Sequence, residues 1–125
     1  MKVSVIIPAI NEEKTIEKTL RKILKEKPYE IIVVNGNSKD RTRLIARKYA
    51  KVITIKDKTW RSVLMNKGAE KAKGDWLLFL HADTILPKKA LALIPQKAIA
   101  ATYFLRFDNH HWFLRLLHGT RTIYD

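Results

Sequence analysis

The sequence predicts an α/β fold with a doubly wound, mostly parallel sheet and helices on both faces. Three observations predict it. Four apolar, strand-like runs alternate with helical patterns within the first ninety residues, the signature of parallel strands joined by right-handed crossovers. Each run stops at a polar turn, which brings those turns to one edge of a parallel sheet. Residues 76–80, WLLFL, show no polar alternation. That suits a strand buried on both faces, and it is expected to be the central strand.

Residues 2–7 are β-branched and apolar and form the first strand, which Pro8 is expected to end. Asn11 caps the helix that follows, with Glu12 and Glu13 in its first turn, where the helix dipole favours acids. Ile16, Leu20, Ile23 and Leu24 make its buried face at helical spacing, and Pro28 marks its end. Residues 30–34 form the second strand, followed by the turn Asn35-Gly36-Asn37-Ser38-Lys39-Asp40. Ser38 or Asp40 caps a second helix that runs to about Ala50 and buries Leu44, Ile45 and Tyr49. Residues 51–55 are a short third strand and 56–60 a polar loop. Residues 61–73 read as a third helix closed by Gly74, whose small residues Gly68, Ala69 and Ala72 permit close approach to the sheet. Pro87 and Lys88 open a short fourth helix ending by Pro95. Residues 98–107 read as a strand and 110–117 as an aromatic, apolar helix or turn.

Composition bounds the function. The length of 125 residues and 46% hydrophobic content suit one domain with a real core. The absence of cysteine excludes disulfides and thiolate metal sites. The amino-terminal apolar stretch is short and broken by Pro8, unlike a signal peptide. No run is long enough to span a membrane. A cytoplasmic protein is expected, with peripheral membrane contact as an option. The net charge is +13, and residues 35–75 hold twelve Lys/Arg against four Asp/Glu. Such a surplus fits a phosphate-bearing ligand, nucleic acid or an anionic membrane, although most of these lysines read as solvated helix faces. Nucleic acid is not the expected partner, because Tyr49 and Trp60 do not form a stacking platform.

At the carboxyl end of the 76–80 run the character changes to His81, Ala82, Asp83 and Thr84. Open α/β sheets bind ligands at that edge. Asp83 offers oxygen and His81 nitrogen, a donor pair that could hold a hard divalent cation carrying phosphate oxygens. Equally, Asp83 or Thr84 could cap the helix after Pro87.

Three strand-end loops converge at this edge, and their segments PAINEE, VVNGNSKDRT and FLHADTILP resemble, in order and spacing, the signature of family 2 glycosyltransferases with the Rossmann-like GT-A fold. The resemblance covers about residues 2–107. The chain resembles a branch that carries HADT followed by Leu-Pro where other members have Asp-x-Asp. The resemblance implies that Asp83, with His81, binds a divalent metal (Mn or Mg) bridging the donor diphosphate. It implies that Pro8, Ala9 and Glu12 contact the donor nucleoside, that Asn35 reads the base, and that Arg61, Met65 and Asn66 flank the nucleotide pocket. A metal and Arg61 would neutralise the charge of a sugar diphosphate leaving group. The implied activity is inverting transfer of a sugar from a nucleotide-diphosphate donor. The implied alternative is a nucleotide-sugar-binding remnant without turnover.

Several positions depart from the family pattern: Asn35 replaces an aspartate, Asn37 a glycine and Leu64 a glutamine, and Trp60 and Ser62 stand where glycines are common. An amide at position 35 can accept from uracil N3–H through its oxygen while donating to a carbonyl, so a uridine donor is expected. Residues 1–107 are expected to be the nucleotide-sugar-binding domain and 108–125 its helical, aromatic tail. The chain is expected to be truncated relative to the family pattern, and its final Tyr124-Asp125 resembles the segment that contains the catalytic base, making Asp125 the candidate base. The apolar strand 98–107 and Trp112, Phe113, Leu114, Leu116 and Leu117 lack enough chain to bury them, so a homodimer is expected ahead of membrane docking.

Overall fold

The computed structural model describes the backbone of residues 1–95, 100–104, 113–118 and 121–124, and the side chains of residues 1–95. The chain divides into two compact units, Met1–Leu86 and Pro87–Asp125. That division lies upstream of the boundary at residue 107 expected from the sequence.

The first unit is a four-stranded parallel sheet of order β3-β2-β1-β4, made of β1 (Val3–Ala9), β2 (Glu30–Asn35), β3 (Lys51–Thr54) and β4 (Trp76–Phe79). The helices are α1 (Ile16–Lys25), α2 (Thr42–Ala46) and α3 (Arg61–Lys71). The chain steps outward from β1 to β2 to β3, then crosses back to β4 on the far side of β1. Right-handed crossovers therefore put α1 and α2 on one face and α3 on the other. Ile6, Ile32 and Val34 form the buried face under α3, closed by Leu64. Strand alternation turns Val5, Ile7 and Val33, all fully buried, to the opposite face. At Gly68 the helix backbone comes so close that an added Cβ would lie 2.5 Å from Ile6 Cγ2. On the α1 side, the Tyr49 hydroxyl donates to Glu17 Oε1 at 2.6 Å and Arg21 Nε donates to Tyr49 Oη at 3.1 Å, joining α1 to the segment after α2.

Several expectations are corrected. β4 is an edge strand among the described residues, and β1 and β2 are central. Leu77 and Phe79 are accordingly 41% and 39% exposed. An unalternated apolar run reports hydrophobicity on both faces, not position within the sheet. Pro8 lies inside β1, opposite Val34. Pairing of β1 with β4 stops at Ile6, so the missing N–H of Pro8 interrupts no described bond on that side. Leu24 and Leu44 are exposed, and Ile45 and Tyr49 only half-buried. α2 ends at Ala46 and buries Thr42 and Ala46 instead, two small residues one turn apart.

In the second unit a 3₁₀ turn, Leu91–Leu93, stands where a fourth helix is expected. β5 (Ala100–Phe104), β6 (Phe113–His118) and β7 (Arg121–Tyr124) form an antiparallel sheet with β6 in the middle. Residues 113–117 are thus strand rather than helix. Their apolar run has no clear period, and pairing with strands on both sides decides its conformation. Residues 110–112 lie outside the described residues.

Candidate donor site at the carboxyl edge of the sheet

The order β3-β2-β1-β4 makes the gap beyond the carboxyl ends of β1 and β4 a topological switch point, where the connections diverge and leave a crevice. Loop one (residues 10–15) and the turn 81–84 flank it, and loop two (residues 36–41) lies next to loop one.

Loops one and two are laced together by side chains bonding to backbone. The Asn11 N–H donates to Ser38 Oγ at 3.0 Å, while Asn11 Oδ1 accepts the Lys39 N–H at 2.7 Å. The Glu12 N–H donates to Thr42 Oγ1 at 2.8 Å and the Glu13 N–H to Asp40 Oδ2 at 3.2 Å. In return Glu13 Oε2 accepts the Arg41 N–H at 3.1 Å. Asn11 and Asn37 have φ of 52° and 54°, in the left-handed region that asparagine tolerates better than most residues. This accounts for an asparagine standing where a glycine is common at position 37. Asn11 is therefore not the cap of α1. Its amide is committed to loop two, and α1 starts five residues later, at Ile16.

Asp40 also receives the Thr42 N–H at 2.9 Å and the Thr42 hydroxyl through Oδ1, so it does supply the first turn of α2. Burial raises the Asp40 carboxyl, but the Thr42 and Glu13 donors outweigh it and hold its pKa below the usual carboxylate range. Ser38 faces loop one and Asn35 instead of α2.

Asn35 is only 2% exposed. Its Oδ1 accepts both the Ser38 N–H at 3.2 Å and the Ser38 hydroxyl at 2.6 Å, and its Nδ2 donates to Thr54 Oγ1 at 3.4 Å. Both lone pairs of that oxygen are in use. The expected acceptance of uracil N3–H by Oδ1 is thus not available in this arrangement, and the group left to offer is the second Nδ2 hydrogen. The sequence shows the amide but not that Ser38, three residues on, engages it.

His81 and Asp83 are both exposed and flank Ala82, which is buried. The Thr19 hydroxyl of α1 donates to the Ala82 carbonyl at 2.6 Å in a buried bond, and the Leu80 N–H donates to Ile6 O at 3.0 Å. Thr84 N–H closes a turn on His81 O at 3.0 Å. Two exposed donors are thereby held on a pinned backbone. Thr19 was not singled out by the sequence, where it reads as one more helix residue. Its burial on the same face as Ile16, Leu20 and Ile23 is the signal that could have found it.

Pro8 and Ala9 are buried at the end of β1, and Glu12 is half-buried with its Oε2 accepting the Thr15 hydroxyl at 3.0 Å. Arg61 opens α3 at the same edge. The first turn of α3 lies over loop two, since a Cβ on Gly36 would meet Leu64 Cδ1 at 3.0 Å and Ile10 Cγ1 at 2.6 Å. Asn66 is exposed and stands five residues further along α3, about 7.5 Å down its axis from Arg61, so the two are not brought together. Asp125 lies outside the described residues.

The donor chemistry at 81–83 fits a shared cation. Among the described residues no three His, Cys, Asp or Glu side chains cluster to make an all-protein cage. Mg²⁺-like ions are usually bound by one or two protein donors, with water and phosphate oxygens completing the shell.

The sequence model of glycosyl transferase family 2 matches residues 4–114. The chain belongs to this family. Among curated relatives of this family 2 chain, an uncharacterised glycosyltransferase of Mycoplasma genitalium is 31% identical over 82% of this chain and 39% of its own length. The structure of Staphylococcus aureus TarS, residues 1–349, is similar with a TM-score of 0.68 and 29% identity, over 74% of this chain and 30% of that one. Glucosyl-3-phosphoglycerate synthase of Mycobacterium tuberculosis, solved with Mn²⁺, uridine diphosphate and glucosyl-3-phosphoglycerate, is similar with a TM-score of 0.63 and 25% identity, over 73% of this chain and 37% of that one. The family 2 chain thus spans less than two fifths of each of these relatives. The parallel sheet and its flanking helices are the GT-A, Rossmann-like architecture expected from the sequence. No helix among the described residues is long and apolar enough to cross a membrane.

Proposed function

We propose that the carboxyl edge of the sheet binds a uridine diphosphate sugar and that the chain serves sugar transfer from it. The observation that carries this reading is the pinned His81-Ala82-Asp83 turn beside the switch point, which loop one, laced to loop two, also flanks. The Mn²⁺ and uridine diphosphate in the similar synthase support the ligand class. Asp83, with His81, would hold a divalent cation, which when bound supplies positive charge to a diphosphate leaving group. Glu12, Pro8 and Ala9 line the nucleoside side, and Asn35 shapes loop two and offers its remaining Nδ2 hydrogen to a uracil carbonyl. Arg61 adds positive charge at the same edge. Asp125 is the base in this reading.

The second reading is donor binding without turnover. Titration of uridine diphosphate with and without Mn²⁺ tests the donor site. Saturable binding strengthened by Mn²⁺ in the native chain, and loss of the Mn²⁺ effect in Asp83→Ala, are the expected results. Mn²⁺ binding unchanged in Asp83→Ala would remove the metal from the reading. A product assay with the donor then separates transfer from binding alone.

A further inference from the structure

We infer that the corner around Trp60 docks on an anionic phospholipid surface. Trp60 is 81% exposed, although tryptophan is highly buried on average, and its indole N–H has no partner among the described residues. Lys56, Lys58 and Arg61 around it are all exposed, with Asp57 the single acid between them, and none of the three cations forms an ion pair among the described residues. Val63, one turn into α3, is exposed on the same side as Trp60. An apolar ring with one donor N–H is suited to the boundary between headgroups and acyl chains, and the surrounding cations are complementary to anionic headgroups.

Charge chooses among the occupants. A second copy of a +13 chain would meet this corner with like charge, and a strand of nucleic acid would call for successive aromatics rather than one. Trp60 precedes α3 at the carboxyl edge of the sheet, where Leu64 reaches Gly36 of loop two. Docking therefore turns the edge bearing loop two and the 81–84 turn towards the headgroups. Only this last consequence rests on the donor-site reading.

The test uses the full chain with phosphatidylglycerol-containing vesicles and with pure phosphatidylcholine vesicles, without nucleotide. The chain is expected to cosediment with the first and not the second. Trp60→Ala should weaken partitioning by about tenfold, and the double variant Lys56→Glu, Lys58→Glu, which loses two cations and gains two anions, by more than that, while Trp112→Ala leaves it unchanged. All these variants should bind uridine diphosphate as the native chain does. Partitioning that survives Trp60→Ala, or that is lost in Trp112→Ala alone, overturns the inference. So does a Trp60→Ala chain that keeps its vesicle binding but loses uridine diphosphate, or one that loses a lipid-free dimer. A native chain that binds vesicles but no uridine diphosphate would sink the donor reading and leave the docking surface standing.

Discussion

Glu13 is bonded to Asp40 across the two site loops: the Glu13 N–H donates to Asp40 Oδ2 at 3.2 Å, while Glu13 Oε2 accepts the N–H of Arg41, the residue after Asp40, at 3.1 Å. With Thr42 also bonded to Asp40, this carboxylate ties loop one, loop two and the start of α2 together. Asp40→Ala leaves the Glu13 and Thr42 donors without it and is expected to cost about 1–3 kcal/mol. Asp40→Asn, which keeps an acceptor, should cost less. Urea unfolding of the two variants checks the order, and equal midpoints would argue against the clasp.

Acid should weaken the fold through the same group. The folded pKa of Asp40 is lowered, as is that of Glu30, where burial pushes upward but the Ser4 hydroxyl and Lys73 N–H push down more strongly. A depressed carboxyl contributes stability that is fully present above its unfolded value, about 4, and is lost as pH falls through the lower folded value. Unfolding midpoints measured between neutral pH and pH about 3 should fall steeply only at the acid end. The fall should be shallower in Asp40→Asn and in Glu30→Gln.

Thr19→Val removes the buried donor to the Ala82 carbonyl while nearly keeping volume. Stability should drop by about 1–3 kcal/mol for the unsatisfied carbonyl, and Mn²⁺ affinity should drop with it because the turn carrying His81 and Asp83 loses its anchor. Thr19→Ser should restore the metal affinity. A Thr19→Val chain that melts lower but binds Mn²⁺ as tightly as before would show that the bond supports the fold without orienting the site.

Gly68→Ala should overpack the interface of α3 with the sheet, since the new Cβ would lie 2.5 Å from Ile6 Cγ2 and 2.9 Å from Val34 Cγ2. A loss of about 1–3 kcal/mol is expected, despite the better helix propensity of alanine. Thermal unfolding that rises in this variant would mean that α3 can move away from the sheet at little cost.

Asn35→Ala should lower both stability and uridine diphosphate affinity, because Ser38 and Thr54 lose a common partner. The stability cost of emptying such a buried site is about 1–3 kcal/mol. Calorimetry comparing uridine and guanosine diphosphates on the native chain tests the base preference, and tighter guanosine binding would contradict it.

The alternation of apolar strands and amphipathic helices was legible in the sequence because it is set by local periodicity, and so were the polar turns at one edge, since each turn's composition is its own. Membership of family 2 was legible for a related reason, as its motifs are short and contiguous. Sheet order was not, because WLLFL has the same composition at an edge as in the centre, and only the return crossover through α3 places β4 outside β1. Nor was the direction of each polar side chain. Asn11 looked like a helix cap and Asn35 like a free base reader, but the Asn11 side chain accepts from the Lys39 N–H, more than two dozen residues away, and the Asn35 side chain accepts from Ser38, only three residues on. Residues 113–117 carried an apolar run with no decisive period, and strand partners on both sides made it β6. The sequence by itself determined which residues are apolar and where the chain must turn, because those are properties of single side chains and their neighbours. Tertiary structure decided which hydrogen-bonding atoms remain free at the site, because a side-chain oxygen has two lone pairs and a distant donor can use them.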